Sequence, residues 1–379
     1  MAGPLTGCRI IEMAGLGPGP FAAMLLADLG ADVVRVERAG TQAAGSEQYV
    51  MHRGRRSIAI DLKHPHGRDI VLRLAERSDA LIEGFRPGVM ERLGLGPDDC
   101  RSRNARLVYG RMTGWGQDGP LAPTAGHDID YIAISGALGC IARAGERPVV
   151  PVNFLGDFGG GGLFLAFGIV AAMWEATRSG TGQVVDAAMV DGSAVITTML
   201  HGLMAQGRWR DEAGVNFADG GSNYYDTYEC ADGRHVAVGA IEGPFYAALL
   251  DGLGLRRDEL PDRARATNWP ALKERFAAVF RTRTRDEWAA TFAGTDACVA
   301  PVLGLSEAPL HPHNVEREVF VERGGIVQPA PAPRFDRTPN TLDRLPPRPG
   351  EHTDEVLREI GYDATAIAEL LEAGTVTGG

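Results

Sequence analysis

From Arg9 to Met112, short apolar runs alternate with helix-length stretches, and few folds accommodate that pattern. Arg9–Met13 reads as a strand. It runs into Gly15-Leu16-Gly17-Pro18-Gly19-Pro20, a helix over Phe21–Leu29, and a second strand at Asp32–Val36. Ser57–Leu62, Ala80–Glu83 and Leu107–Met112 read as further strands, with a helix over Pro65–Ser78, and Gln183–Ala188 adds a later strand. Strands separated by helices of this length pair in parallel through crossovers, so the expected fold is α/β, with a doubly wound, Rossmann-like sheet. The glycine loop after the first strand is a poor dinucleotide fingerprint. Two prolines interrupt it, and it lacks the third glycine placed for helix–strand packing. The prolines suit the first turn of the following helix instead.

The second half is patterned differently. Met189–Gln206 reads as a helix rich in Met, Leu and Val, and Arg208–Ser222 as a polar loop. A second α/β segment follows, with a strand at His235–Gly239 and helices over Pro244–Leu253, Trp269–Phe280 and Arg285–Ala293. Seven prolines between Pro329 and Pro349 demand an extended connection over the surface. Thr353–Ile360 and Asp363–Ala373 read as two short helices parted by Gly361. The expected organisation is a large Rossmann-like domain over 1–190, completed by 330–379. A linker helix and loop occupy 191–224, and a smaller α/β domain spans 225–325.

A chain of 379 residues has material for about two domains. With 44% hydrophobic and 23% charged residues it has the balance of a soluble globular protein. No segment approaches the roughly 18 uninterrupted apolar residues of a membrane span. Neither a secretory leader at the start nor a peroxisomal address at the end is expected. Five cysteines, odd in number and without Cys-x-x-Cys spacing, point to a reduced, cytoplasmic compartment and no structural zinc. The net charge of −11 argues against nucleic acid or an anionic membrane as a partner. Yet Arg35 to Arg111 holds fifteen Arg or Lys against ten Asp or Glu, and all but Lys63 are arginine. Arginine's planar fork binds phosphate bidentately, so this stretch suggests a polyanionic small ligand. The plainer alternative is that most of these arginines line solvated helix faces.

Two motifs carry candidate chemistry: GHDIDY at Gly126–Tyr131 and NFLGDFGGGG at Asn153–Gly162. The apolar run Leu163–Val170 reads as a buried helix, which places Asp157 near a helix N-terminus beside free N–H groups. A proton acceptor beside oriented donors is what stripping a carbon acid and holding its oxyanion require. Asp157 could equally be an ordinary N-cap, the glycines only permitting close packing. His127 lies in a loop between elements. Glu242 follows the strand His235–Gly239, where it either serves a site or caps the helix beginning near Pro244. Met189, Met199 and Met204 offer either a soft apolar surface for a ligand or packed core.

The whole chain resembles the family III CoA-transferase superfamily, and within it the α-methylacyl-CoA racemase branch. The resemblance runs through GCRIIEMAGLGPGPFAAMLLADLGADVVRVER, IDLKHPHGR, EGFRPGVMERLGLG, YGRMTGWGQDGP, GHDIDY, GDFGGGG, GQVVDAAMVDG, YYDTYECADGRHVAVGAIE and DACVAPVL, across residues 5 to about 303. It implies that the large domain binds CoA and that His127 and Asp157 are the two bases of a racemase acting on 2-methylacyl-CoA thioesters. Glu242 would hydrogen-bond the histidine. CoA contacts are implied at Arg38, Ile60, Asp61, Leu62, Lys63, Gly84, Phe85, Arg86, Arg92, Gly126, Asp128, Ile129, Asp130 and Tyr131. The resemblance further implies an acyl-CoA substrate with no metal and no separate cofactor. It implies an interlocked homodimer, His127 and Asp157 coming from one chain and Glu242 from its partner.

Two other readings remain at this point. A CoA-transferase of the same superfamily would use an aspartyl thioester, and its nucleophile aligns with Asp128. A histidine directly before that aspartate, with GDFGGGG and Glu242, favours the racemase. A non-catalytic CoA-binding protein is the third reading, and the presence of every matched catalytic residue argues against it.

Overall fold

The computed structural model describes residues 2–41, 45 and 48–378. Its strands are β1 (Arg9–Met13), β2 (Asp32–Arg38), β3 (Arg55–Ile60), β4 (Ala80–Glu83), β5 (Val108–Thr113) and β6 (Val184–Ala188). Then come β7 (Tyr225–Glu229), β8 (His235–Gly239), β9 (Val299–Pro301), β10 (Phe320–Arg323), β11 (Ile326–Pro329) and β12 (Val376–Thr377). Among the described residues, one sheet has seven strands in the order β12-β3-β2-β1-β4-β5-β6, with all pairs parallel except β12 with β3. Strand order reverses between β1 and β4, the arrangement that opens a ligand crevice beyond the strands' carboxyl ends.

Two compact units divide the chain. The first comprises Met1–Ser135, Val152–Ile196 and Glu316–Gly379; the second comprises Gly136–Pro151 and Thr197–Val315. Gly136–Pro151 thus groups with the second unit, although it interrupts 1–190, and the β10–β11 hairpin groups with the first. Neither segment carries a periodic apolar pattern strong enough to assign it from sequence. The expected single helix over Met189–Gln206 is two, Met189–Ile196 and Thr198–Ala205, and the units divide at that break.

Period-two alternation sorts the first unit's sheet into two faces. Ile11, Met13, Val34, Val36, Ile58 and Ile60 pack with the helix Pro65–Glu76 and the C-terminal helices. Ile10 and Val33 pack on the other face with the helices Pro18–Asp28 and Leu163–Ser179. On that second face the alternation turns from apolar to charged toward the strand ends. Glu12 is fully buried and paired with Arg35, opposite it on β2, and with Arg55 at 3.0 Å. Arg35 also reaches Glu37 at 3.2 Å, and the Ser57 hydroxyl donates to the same carboxylate. Arg55 donates to the carbonyls of Pro20 and Met51, tying the first helix's N-terminus to the sheet. Burial, with Arg35 and Arg55 beside it, pushes the His52 imidazole down to about 4. Arg53 pairs with Asp28 at 2.6 Å, and Arg56 with Asp32 at 2.5 Å and with Glu355 and Glu359.

These pairs revise the reading of the arginine-rich stretch. Arg35, Arg53, Arg55, Arg56 and Arg111 are buried and matched by carboxylates, so their charge is already paired within the protein and they do not line solvated helix faces. Composition counted most of them as basic surplus because Glu12, Asp28, Asp32, Glu355 and Glu359 lie outside that stretch.

The helix expected to be buried is not wholly so. Phe154–Ser179 is continuous over 26 residues, π-helical to Gly162 and α-helical from Leu163. By length and composition alone it could cross a membrane, which amends the sequence reading. Leu165, Ala166, Ile169, Ala172 and Ala176 are buried against the sheet, whereas Leu163, Phe167, Val170 and Trp174 form an exposed stripe. A core helix of an α/β unit accounts for the buried face.

The second unit folds around Tyr228, Val236, Val238, Tyr246, Phe276, Phe280 and Trp288, with the antiparallel sheet β7-β8-β9 on one side. Its polar loop Arg210–Ser222 is a built structure. Asp219 accepts from the main chains of Gly214, Asn216 and Gly221 at 2.8–3.1 Å, and Asn216 donates to the carbonyls of Arg210 and Glu212.

Glu12→Ala removes one carboxylate from two buried guanidiniums, and breaking a buried pair this way costs about 3–5 kcal/mol. Urea unfolding should show that loss, and a change below about 1 kcal/mol would mean the cluster does not hold the sheet.

Candidate active site

A cavity of about 540 Å³ opens at the strand-order reversal, within the first unit. Its wall includes the loop Gly15–Pro20 after β1, Gly84–Pro87 after β4, Thr113–Trp115 after β5, and His127, Tyr131, Asp157 and Met189. Of the three expected catalytic residues, His127 and Asp157 therefore face the same cavity. Glu242 belongs to the second unit, where it precedes the helix Gly243–Leu253; its exposed side chain makes no cap hydrogen bond.

His127 ends its loop, as expected, where it is the N-cap residue of a helix, Asp128–Ile134. Its main-chain N–H donates to Asp130 Oδ2 at 2.9 Å, and its carbonyl accepts from Asp130 at 2.8 Å. Its ring caps nothing. Asp130 thus closes the first turn. Tyr131 fixes the turn from beneath: its hydroxyl donates to the Gly126 carbonyl and its ring meets Trp115 edge-on at 4.7 Å. Burial, then the nearby Asp157 and Asp130 charges, pushes the Tyr131 phenol up to about 12, so it stays a neutral donor.

Asp157 lies in the first turn of the long helix, four residues after Asn153, whose amide donates to Asp157 Oδ2 at 3.0 Å. Burial pushes the Asp157 carboxyl up, the Asn153 amide opposes that, Asp128 reinforces it and His127 opposes it. Gly17, at φ 66°, lies against this carboxylate, and a Cβ there would stand 3.0 Å from Oδ2. The expectation that the main chain at Asp157 is free to hold an oxyanion fails at its own N–H, which donates to Asp128 Oδ1 at 2.6 Å.

Asp128 is only 7% exposed and does not line the cavity. Its carboxylate is turned inward against Gly156, where a Cβ would come within 2.5 Å of Oδ1. The glycines after Asp157 serve close packing, as the plainer reading had it. Gly160 faces Ser193, Gly161 faces Met189, and Gly162 faces the Pro18 carbonyl and the Phe21 ring.

A second cavity of about 800 Å³ adjoins the first, sharing Met13, Gly15, Leu16 and Phe85. Arg38, Ile60, Asp61, Leu62 and Lys63 line it. Gly84, Phe85, Arg86, Gly126 and Tyr131 line the first, and Arg92 joins Arg86 in a cleft that shares Arg86, Pro87 and Ala122 with it. The expected CoA contacts thus gather along one connected surface, save Asp128, Ile129 and Asp130. Beneath it, Arg111 pairs with Glu83 at 3.0 Å, and Glu83 accepts from the Phe85 N–H at 2.8 Å, which fixes the loop after β4.

Sequence reasoning missed Asn153, Gly17 and Trp115 as parts of this site. Asn153 had a usable signal, the four-residue spacing to Asp157. The other two come from remote loops and had none. Met189 is both core and cavity wall, whereas Met199 and Met204 are exposed in the second unit.

The geometry can be set beside known proteins. The family model for CoA-transferase family III matches residues 5–353. The chain is 48% identical to the α-methylacyl-CoA racemase of Mus musculus, across 97% of this chain and 96% of the mouse protein. It is 47% identical to that of Homo sapiens over the same shares of both chains. A crystal structure of a CAIB/BAIF family protein from Brucella suis superposes with a TM-score of 0.82 at 25% identity, covering 95% of this chain and all of that one. The chain belongs to CoA-transferase family III, on the branch that holds the α-methylacyl-CoA racemases.

Proposed function

We propose that this chain inverts the α-carbon of 2-methylacyl-CoA thioesters by two-base proton transfer. One observation carries the mechanism: His127 and Asp157 share a cavity wall while Asp128, the nucleophile a transferase would need, is turned into the protein. A thioester acidifies its α-carbon because the resulting enolate places charge on oxygen. One residue removes the proton from one face, the other donates to the opposite face, and the planar intermediate can be reprotonated with either hand. A histidine exchanges protons readily near neutral pH. The raised Asp157 carboxyl is closer to a proton-sharing range than a solvated aspartate, with burial as the main cause. No step in this scheme draws on a metal or a separate cofactor.

The CoA moiety follows the connected cavities, its phosphates toward Arg38, Lys63, Arg86 and Arg92, which are not consumed by the buried pairs. The acyl end reaches His127, Asp157 and Met189. Glu242 of the partner subunit hydrogen-bonds His127 in an interlocked homodimer. Two facts support this assembly: the Glu242 carboxylate is exposed and makes no cap hydrogen bond among the described residues, and Phe167 and Trp174 leave 71% and 68% of their surface uncovered. Five free thiols fit a reduced, cytoplasmic setting.

Arg38→Ala or Arg92→Ala should raise KM for acyl-CoA roughly tenfold or more with little change in kcat, because phosphate contacts bind substrate and transition state alike. Unchanged affinity for free CoA in both variants would remove these arginines from the site. Light scattering should report a dimer, and a fully active monomer would sink the assembly. In D₂O the enzyme should place deuterium at the α-carbon without any added carboxylate. His127→Ala and Asp157→Ala should each lose most of that exchange, while Asp128→Asn, whose amide oxygen can still accept the Asp157 N–H, should retain it. Robust CoA transfer with no exchange would overturn the racemase reading.

A further inference from the structure

A strand-to-helix loop is an imprecise seat for a functional carboxylate unless something fixes its main chain. Glu242 has such a seat: β8 ends at Gly239, and the helix Gly243–Leu253 begins four residues later. The Glu242 carbonyl opens that helix, accepting from Tyr246 at 2.9 Å, while its side chain caps nothing. Glutamate is not a favoured N-cap, so the helix does not explain the residue.

What fixes the loop is Arg263. Its Nη1 donates to the Ala240 carbonyl at 3.2 Å and its Nη2 to the Ile241 carbonyl at 3.0 Å, the two peptide units immediately before Glu242. The guanidinium also packs on two rings, 4.1 Å from the Tyr246 centroid and 4.9 Å from that of Tyr224. Those rings are themselves held. Asn223 donates to the Tyr246 hydroxyl at 3.2 Å, Tyr224 meets Trp269 edge-on, and Trp269 Nε1 donates to the Arg263 carbonyl at 2.8 Å. Across the loop, the Gly239 N–H donates to the Cys298 carbonyl at 2.9 Å. Only arginine's planar fork can bridge two successive carbonyls and lie flat on aromatic faces at once.

We propose that Arg263 is a positioning residue for the reaction, holding the Ala240–Ile241 main chain so that the Glu242 carboxylate is presented in one orientation. The inference rests on the reading that Glu242 serves His127. It makes Arg263 part of the catalytic apparatus without contact to substrate.

The test is a double-mutant cycle on α-hydrogen exchange, with kcat and KM measured for wild type, Arg263→Met, Glu242→Gln and the double variant. Arg263→Met should lower kcat on the order of tenfold and leave KM within about twofold, the pattern of a displaced group that acts in the transition state. The double variant should be no slower than Glu242→Gln alone, because a mispositioned group that is already absent costs nothing further. Arg263→Lys, which keeps the charge but not the fork, should fall between wild type and Arg263→Met. Should Arg263→Met fail to fold, Arg263→Lys with and without Glu242→Gln makes the same comparison. Wild-type kcat in Arg263→Met, a change in KM alone, or losses that multiply in the double variant would each overturn the proposal. Full exchange in Glu242→Gln would overturn the underlying role of Glu242 by itself, so the two failures are told apart by the single variants.

Discussion

Close approach of neighbouring groups to a main chain that carries no Cβ is the constraint on which this site depends. Gly160, Gly161 and Gly162 let the first turns of the long helix press against Ser193, Met189 and the Pro18–Phe21 turn. Gly156 leaves room for the Asp128 carboxylate, whose Oδ1 takes the Asp157 N–H, and Gly17 leaves room for Asp157 itself. At Gly156, Gly160, Gly161 and Gly162 a Cβ would stand under 3.0 Å from a neighbouring atom. Together they bring the helix carrying Asp157, the helix start carrying His127 and the loop after β1 to one cavity. Asp128 is therefore the structural partner of Asp157, one carboxylate used to set the position of another.

The first unit divides its charges into two populations. Glu12, Arg35, Glu37 and Arg55 neutralise one another inside the sheet, where a lone charge would be prohibitively desolvated. Arg38 stands at a strand end, Lys63 and Arg86 in loops and Arg92 on the short helix Val89–Arg92, all lining open cavities. Arg35 and Arg38 lie on one strand three residues apart, so the alternation turns Arg35 to the buried carboxylates and leaves Arg38 exposed at the strand end. A buried network at the wall of the second cavity also makes that wall stiff, since any shift of β2 would break ion pairs that cannot find water.

Much of the fold was legible in the chain. β1, β4 and β8 fall where the apolar runs placed them, and the prolines of the glycine-proline loop sit in the first turn of the helix Pro18–Asp28, as expected. The parallel sheet followed from spacing alone. Less legible were elements stabilised by what packs on them. The helix Asp128–Ile134 is short and polar at its start, and its capping pair of His127 and Asp130 is visible only with coordinates. The π-helical turn at Phe154–Gly162 runs through five glycines, which propensity alone would read as a break. The apolar run after it was correctly a helix but wrongly fully buried, because periodicity identifies an apolar face without saying what covers it.

The sequence by itself determined the residue types of the site, the alternation that builds the sheet, and the family, since the matching motifs run almost unbroken through most of the chain. Those are local or ordered along the chain, and order is what a sequence records. Tertiary structure alone decided which of two adjacent residues, His127 or Asp128, faces the cavity, because a helix start turns consecutive side chains in different directions. It also decided which arginines remain available to a ligand, since their carboxylate partners come from other strands. And it decided that Arg263 grips the main chain before Glu242 from 22 and 23 residues away along the sequence, a contact set by the packing of two tyrosine rings.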